Sequence, residues 1–151
     1  MITFSHIHKN YNGKEIIADF NLTIESSTFL TIIGTSGSGK TTVLKMINGL
    51  VLPDKGEIYI DGKNILEEDL IALRRNIGYV IQGNILFPHL TVAENIAYVL
   101  RLKNYSKTDI THIVTEKLQQ VNLDPELANR FPQQLSGGQQ QRVGIARALA
   151  A

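Results

Sequence analysis

The segment from Gly34 to Thr41 has the residue types and spacing needed to hold a phosphate group. Its sequence, GTSGSGKT, fits the pattern G-x-x-x-x-G-K-S/T and stands between the apolar run Thr28–Ile33 and a helical pattern beginning at Lys40. Glycines let such a loop curl so that successive N–H groups point at an anion, and the helix N-terminus adds a positive dipole end. The segment therefore predicts binding of a nucleoside triphosphate together with Mg²⁺.

Two side chains of this loop have distinct expected roles. Lys40 can reach the outer phosphates, and Thr41 can place its hydroxyl on Mg²⁺. The expected nucleotide contacts are Gly34, Thr35, Ser36, Gly37, Ser38, Gly39, Lys40, Thr41 and Thr42. The loop alone leaves open which base is bound and whether the outcome is transfer, hydrolysis or switching.

A second small motif, LSGGQ at Leu135–Gln139, follows about a hundred residues later. Ser136 offers a hydroxyl, and Gly137 and Gly138 expose backbone N–H groups at the start of a predicted helix. Alone, the motif is equally well explained as a helix cap after a proline-bearing loop. Paired with the phosphate loop, it strongly resembles the ATP-binding-cassette (ABC) ATPases, whose most specific sequence mark is this pairing.

The resemblance runs from about Tyr11 to Ala151 and implies roles for further residues. Tyr11 matches the family's aromatic residue that stacks on adenine, the alternative being a core or edge tyrosine. Gln82, after the apolar run Ile77–Ile81, matches the Q-loop glutamine, which contacts the metal or its water and senses the transmembrane partner. The segment Ser136–Gln139 would contact, in trans, the ATP held by a second cassette.

Partners and location are also implied by the resemblance. Two cassettes would pack head to tail around ATP and Mg²⁺ and would act with integral membrane permease subunits and a substrate-binding protein. The chain would then be a peripheral subunit at the cytoplasmic face of the cell membrane. Within the family, the sequences of residues 73–82 and 130–142 are similar to those of ATPase subunits for uptake of the osmoprotectants glycine betaine, carnitine and choline.

Hydrolysis is the part of the family's function for which residues are missing. In the family an apolar strand ending in Asp-Glu, and then a His, follow the LSGGQ motif, whereas this sequence stops at Ala151 and its last carboxylate is Glu126. Asp61-Gly62 is better explained as a hairpin turn than as a substitute. We therefore expect a C-terminally truncated chain that is inactive alone, with no catalytic residue assigned beyond the possible metal contact of Gln82.

Three functions remain as alternatives. The first is an ATPase subunit that powers an importer, and the second is a non-catalytic ATP-binding or regulatory module. The third, a cassette acting on DNA or the ribosome, is disfavoured because 15 Lys and Arg against 14 Asp and Glu give a net charge of only +1. A nucleic-acid partner is therefore not expected.

Apolar patterning predicts two kinds of strand around these motifs. Alternation at Phe20–Glu25 and Glu57–Asp61 is typical of half-buried strands, and Asn12-Gly13 predicts a tight turn. The continuous apolar runs Thr28–Ile33 and Ile77–Ile81 predict strands buried on both faces, as in a parallel sheet.

Helical spacing occupies much of the remaining sequence. The predicted helices are Lys40–Leu50, Glu67–Arg75, Thr91–Leu102, Ile110–Val121 and Ser136–Leu149. Thr91 with Glu94, and Ser136 with Gln139, have the spacing of capping boxes.

Together with the resemblance, this order of strands and helices predicts an α/β fold. The expected fold is a P-loop NTPase (RecA-like) core with an N-terminal antiparallel β subdomain and a helical signature subdomain, incomplete at the C-terminus. The expected division of this single partial domain is 1–84, 85–137 and 138–151, the last being the signature helix.

Composition is consistent with this interpretation. A length of 151 residues, 43% of them hydrophobic and 19% charged, predicts one soluble globular domain. The absence of cysteine excludes a disulfide scaffold and thiolate chemistry. No apolar run approaches the roughly 18 residues of a membrane helix, and no signal-peptide pattern is expected. His6, His8 and His112 are expected to be solvated or satisfied side chains.

Overall fold

The computed structural model describes residues 1–81, 83 and 86–151, and these divide into two compact units, 1–74 and 75–151. In chain order the strands are β1 (Ile2–Tyr11), β2 (Lys14–Ile24), β3 (Lys55–Ile60) and β4 (Lys63–Asn64). The helices are α1 (Lys40–Ile47), α2 (Leu70–Arg75), α3 (Val92–Leu102), α4 (Lys107–Gln120) and α5 (Gly137–Leu149). Short 3-10 turns cover Pro125–Asn129 and Pro132–Gln134. None of these helices has the length and hydropathy that crossing a bilayer requires.

The first unit contains a four-stranded sheet in the order β2-β1-β3-β4, with every neighbouring pair antiparallel. The β1–β2 turn lies at Asn12-Gly13, where both residues have positive φ (51° and 78°), as the tightest hairpin turns require. Helix α1 packs on the sheet, and together they bury Phe4, Ile7, Ile17, Val43, Met46, Ile58 and Ile65. The predicted N-terminal antiparallel sheet is confirmed.

Helix α1 is shorter than its apolar pattern predicts, because it ends at Ile47 instead of Leu50. Gly49 has a φ of 64°, a left-handed conformation that terminates a helix at little cost for glycine. Arg74 donates hydrogen bonds from Nε to the carbonyl oxygen of Asn48 (3.0 Å) and from Nη2 to that of Gly49 (2.9 Å). The far end of the helix that follows the phosphate loop is therefore held by α2.

The two runs predicted to be strands buried on both faces do not form strands here. Neither Thr28–Ile33 nor Ile77–Ile81 pairs with any strand in the described part of the chain. Phe29 and Ile33 expose 95% and 89% of their surface, and Ile81 exposes 56%. A strand of this type needs hydrogen-bonded neighbours and a covering layer on each face, and the described residues supply neither. Both predictions are wrong for this structure.

The second unit is a small helical assembly with its own apolar core. Helices α3, α4 and α5 enclose Val92, Ile96, Ala97, Leu100, Val114, Leu118, Val121, Leu123, Leu127, Leu135, Val143, Ala146 and Ala150. Asn95 is fully buried, and its Oδ1 accepts from the Phe87 N–H at 2.8 Å while its Nδ2 donates to three carbonyls of residues 87–91. This buried amide binds the segment preceding α3 to the helix itself.

Both predicted capping boxes are confirmed. At the start of α3 the Thr91 hydroxyl accepts from the Glu94 N–H at 3.3 Å, and the Glu94 carboxylate accepts from the Thr91 N–H at 2.9 Å. The equivalent pair at α5 is Ser136 with Gln139. These side chains satisfy N–H groups that a helix cannot pair internally.

Replacing Thr91 with alanine is expected to lower the free energy of unfolding by about 1 kcal/mol, because the Glu94 N–H loses its acceptor. Denaturant unfolding followed by circular dichroism measures the difference. The matched control is Thr108→Ala, which alters an exposed threonine inside α4 and should change the free energy by less than about 0.5 kcal/mol. Equal effects of the two substitutions would contradict the capping role.

The pKa of the Glu94 carboxyl group is lowered from its ordinary value, chiefly by the N–H and hydroxyl of Thr91 and to a lesser extent by the charge of Arg101. A folded-state pKa below the unfolded-state pKa of about 4.3 means that this stabilisation is present above the unfolded value and is lost as pH falls through the folded value. We expect Glu94→Gln to unfold at a lower temperature than the parent near neutral pH. The gap should close on acidification, and a gap independent of pH would contradict the assignment.

Candidate functional site

The predicted phosphate loop curls back ahead of α1. Gly37 and Gly39 have φ values of 82° and 87°, which glycine adopts without steric cost. At Gly39 space is limiting as well, since an added Cβ would lie 3.3 Å from Ile17 Cγ1. The Ser38 N–H donates to the Thr35 carbonyl oxygen at 3.3 Å and closes the curl. The glycines therefore determine the direction in which the loop enters the helix.

Helix α1 begins without a side-chain cap, unlike α3, α4 and α5. Its N-cap residue is Gly39, and the Val43 N–H donates to the Gly39 carbonyl oxygen at 2.9 Å. The N–H groups of Lys40, Thr41 and Thr42 precede that bond, so the helix offers them no carbonyl acceptor. Such a helix start, with its positive dipole end, favours a bound anion.

The side chain of Lys40 folds back over the loop. Its ammonium group donates to the carbonyl oxygens of Gly34 (2.9 Å) and Thr35 (2.6 Å) and lies 3.3 Å from Ser38 Oγ. These contacts hold a compact positive charge against the loop, beside the cavity that the first helical turn also lines. A lysine held in this way can act as a point charge on a phosphate.

A cavity of about 240 Å³ joins the loop to the end of β1. Its lining residues are Tyr11, Ile16, Gly37, Ser38, Gly39, Lys40, Thr41 and Thr42. Tyr11 is the last residue of β1 and is 43% exposed, so it is not a core residue. The fold thus places an accessible aromatic ring in the same cavity as Lys40 and Thr41, although Tyr11 lies far from both in sequence.

This donor set suits a magnesium nucleotide. The N–H groups and the ammonium group match phosphate oxygens, and the Thr41 hydroxyl is a suitable hard ligand for Mg²⁺. Among the described residues no three His, Cys, Asp or Glu side chains come together as a metal site. Gln82, the other predicted metal contact, lies outside the residues that the structure describes.

In the second unit, the segment Ser136–Gln139 forms the start of α5. The Ser136 hydroxyl accepts from the Gln139 N–H at 3.3 Å, and Gln139 Oε1 accepts from the Ser136 N–H at 2.9 Å. Gly137 and Gly138 are exposed, and a Cβ added to either would meet no atom of the described residues within 4 Å outside its own helix turn. Packing in this structure therefore does not require these glycines, which leave bare backbone at a helix N-terminus.

Two residues beside the cavity belong to no functional motif that the sequence indicates. Lys9 Nζ lies 5.5 Å from the centroid of the Tyr11 ring and 2.7 Å from Asp54 Oδ1. Lys9 and Asp54 are 45 positions apart, so only the fold brings them together.

The histidines of the hairpin are satisfied side chains, as expected. His6 Nδ1 lies 2.7 Å from Asp19 Oδ1, and His8 Nδ1 lies 3.0 Å from Glu15 Oε1. These carboxylate partners are cross-strand neighbours, which linear spacing did not indicate.

Comparison with known proteins identifies the family and is consistent with a nucleotide-binding site. The profile of the ABC transporter family matches residues 17–151, and the chain belongs to this family. It is 49% identical over 151 residues to the glycine betaine uptake system ATP-binding protein YehX of Escherichia coli (strain K12), covering 100% of this chain and 49% of YehX. It is 47% identical over 152 residues to the choline transport ATP-binding protein OpuBA of Bacillus subtilis (strain 168), covering 100% of this chain and 40% of OpuBA. The chain therefore spans less than half the length of these two relatives.

A solved structure agrees with the fold. The dimeric structure of a post-hydrolysis state of the ATP-binding cassette MJ0796, bound to ADP and Pi, matches with a TM-score of 0.89 and 39% identity. The match covers 99% of this chain and 69% of that chain. The predicted fold class, an α/β cassette of which this chain is a part, is confirmed.

Alanine at Gly137 or Gly138 is expected to raise the free energy of unfolding by up to about 1 kcal/mol, because alanine favours the helix and meets no obstacle. Thermal or denaturant unfolding measures the change. Gly78→Ala is the contrasting variant in the same unit, since its Cβ would collide with the carbonyl oxygen of Ala148, and it should destabilise the chain. Destabilisation by Gly137→Ala would show that this glycine serves a contact within its own unit.

Proposed function

We propose that this chain is the ATP-binding part of an ABC transporter ATPase subunit that couples ATP binding and hydrolysis to import of a solute. The observation that carries the proposal is the cavity in which Tyr11, Lys40 and the first turn of α1 meet. We further propose that the solute is a quaternary-amine osmoprotectant, because the similar proteins YehX and OpuBA are named for glycine betaine uptake and choline transport.

The polar groups and the aromatic ring of the cavity have separate tasks in this proposal. The N–H groups from Gly37 to Thr42 receive the phosphate oxygens, and Lys40 turns its ammonium from the loop carbonyls to the outer phosphates. Thr41 contacts Mg²⁺, which neutralises phosphate charge when bound. Tyr11 stacks on the adenine ring, since a base and an aromatic side chain both present flat π faces. Gln82 stays a predicted contact of the metal or its water.

The second motif is proposed to complete the site of another copy. Gly137 and Gly138 present exposed backbone N–H groups, with Ser136 and Gln139 beside them, and the similar cassette MJ0796 has a dimeric structure. ATP bound between the phosphate loop of one copy and this motif of the other would favour the closed dimer over the open one. A ligand that binds one state more tightly shifts the population towards it. Closure would drive a membrane permease.

The remaining partners follow from the family. We propose integral membrane permease subunits and a substrate-binding protein as partners, no nucleic acid, and a peripheral position at the cytoplasmic face of the membrane. The division into a β subdomain with the loop core, a helical subdomain and the signature helix stays a prediction, with boundaries near residues 84 and 137.

Hydrolysis is proposed for the ATPase subunit, with binding as the step that residues 1–151 support directly. The competing hypothesis is a non-catalytic ATP-binding or regulatory module. Measuring phosphate release beside ATP binding on one preparation of the subunit with its complete cassette separates them, because residues 1–151 alone are expected to be inactive under either hypothesis. Turnover above the rate of a Lys40→Ala preparation would support the enzyme, whereas tight binding without turnover would support the module.

The proposal predicts that Lys40→Ala weakens MgATP binding by about tenfold to a hundredfold, because one charge-assisted contact with phosphate is lost. Isothermal titration calorimetry measures the dissociation constant. Lys45→Ala is the matched control, since Lys45 is an exposed lysine in the last turn of the same helix. The control should bind like the parent, and equal weakening by both substitutions would count against the assigned site.

A further inference from the structure

We propose that Lys9 and Asp54 are positioning residues that orient the Tyr11 ring for contact with the base of the bound nucleotide. This inference rests on the proposed function, because it assumes that a nucleotide occupies the cavity. Neither Lys9 nor Asp54 is among the residues that line the cavity. They would therefore act through Tyr11 and not on the nucleotide itself.

Asp54 binds the last part of β1 through three contacts. Its Oδ1 accepts from Lys9 Nζ at 2.7 Å, and its Oδ2 accepts from the Asn10 N–H at 2.7 Å. Its own N–H donates to the His8 carbonyl oxygen at 2.9 Å. Residues 8–10 are thus held by one side chain and its backbone immediately before Tyr11, so the direction in which the strand presents Tyr11 depends on Asp54.

Lys9 contacts both the Asp54 carboxylate and the aromatic ring of Tyr11. Its side chain is only 15% exposed, and its ammonium group is fixed by the Asp54 carboxylate. At 5.5 Å from the ring centroid of Tyr11, the ammonium group lies within the range of cation–π attraction. A surface tyrosine at a strand end would otherwise sample several rotamers, and a held cation near its ring favours one of them.

The charge state of Asp54 is consistent with this arrangement. The hydrogen bond from Lys9 and then that from the Asn10 N–H lower the pKa of the Asp54 carboxyl group. The carboxylate therefore stays ionised at neutral pH, as an anchor for an ammonium group requires.

The positioning role makes a prediction that depends on the base. Lys9→Met keeps an apolar stem of similar length but removes the charge, and Asp54→Asn keeps an acceptor for the Asn10 N–H but removes the anion. Each is expected to weaken MgATP binding by about twofold to tenfold. Neither should change binding of inorganic tripolyphosphate by more than about twofold, because that ligand has no base to meet Tyr11.

The experiment measures dissociation constants of both ligands for the parent chain, the two variants and Lys63→Met. Lys63 is an exposed lysine of the same sheet, 3.8 Å from Glu68, and its substitution should leave both constants unchanged. A selective loss of ATP affinity in Lys9→Met and Asp54→Asn supports the proposal. An equal loss for ATP and tripolyphosphate would show a merely structural role, and no loss for either would also overturn it.

A measurement without nucleotide separates this proposal from the proposed function. In protein with ¹³C-labelled tyrosine rings, the Tyr11 signal is assigned with Tyr11→Phe, and Lys9→Met should shift it while leaving the other tyrosines in place. An unshifted Tyr11 signal would overturn the positioning role even if ATP binds. A shifted signal in a chain that binds tripolyphosphate and ATP equally would instead overturn the base contact, and with it the proposed function of Tyr11.

Discussion

Every helix leaves the N–H groups of its first turn without partners in the helix, and the means of satisfying them differs among the helices of this chain. Side chains cap α3, α4 and α5, namely Thr91, Ser106 and Ser136. At α1 the N-cap is Gly39, which has no side chain to offer. The loop that wraps round this start, and the lysine that follows it, leave a concentrated positive site suited to phosphate. The N–H groups of the first helical turn thus receive side-chain acceptors at the capped helices, whereas at α1 they are left available to a phosphate.

The sheet of the first unit has a direct bearing on that site. Tyr11 can share a cavity with Lys40 only because β1 ends where α1 begins, and β1 is held on both sides by antiparallel neighbours. Asp54 adds a local constraint at the last residues of the strand. The position of the aromatic ring therefore depends on hydrogen bonds between segments that are distant in sequence.

Contacts within the described residues explain only part of the sequence at the start of α5. Ser136 and Gln139 satisfy each other, as in any capping box, and this alone accounts for their residue types. Gly137 and Gly138 are different, because glycine is unfavourable in a helix and no nearby residue that the structure describes excludes a side chain. Under the proposed function, these two glycines allow the close approach of another molecule.

The motifs and the hairpin turns can be predicted from the sequence because they depend on residues only a few positions apart. Gly34–Thr41 and the Thr91 cap need particular residues at fixed spacing, so pattern and structure agree there. The sequence predicts buried strands at Thr28–Ile33 and Ile77–Ile81, and both predictions are wrong. Apolar residues indicate that a segment can be buried in a sheet, but they do not show whether a neighbouring strand is present to pair with it. Only the tertiary structure decided that these runs pair with no strand among the described residues, and that Tyr11, Lys9 and Asp54 meet. The physical reason is that burial, strand pairing and ion pairing over long separations depend on the rest of the chain, whereas turns and helix caps are settled within a few residues.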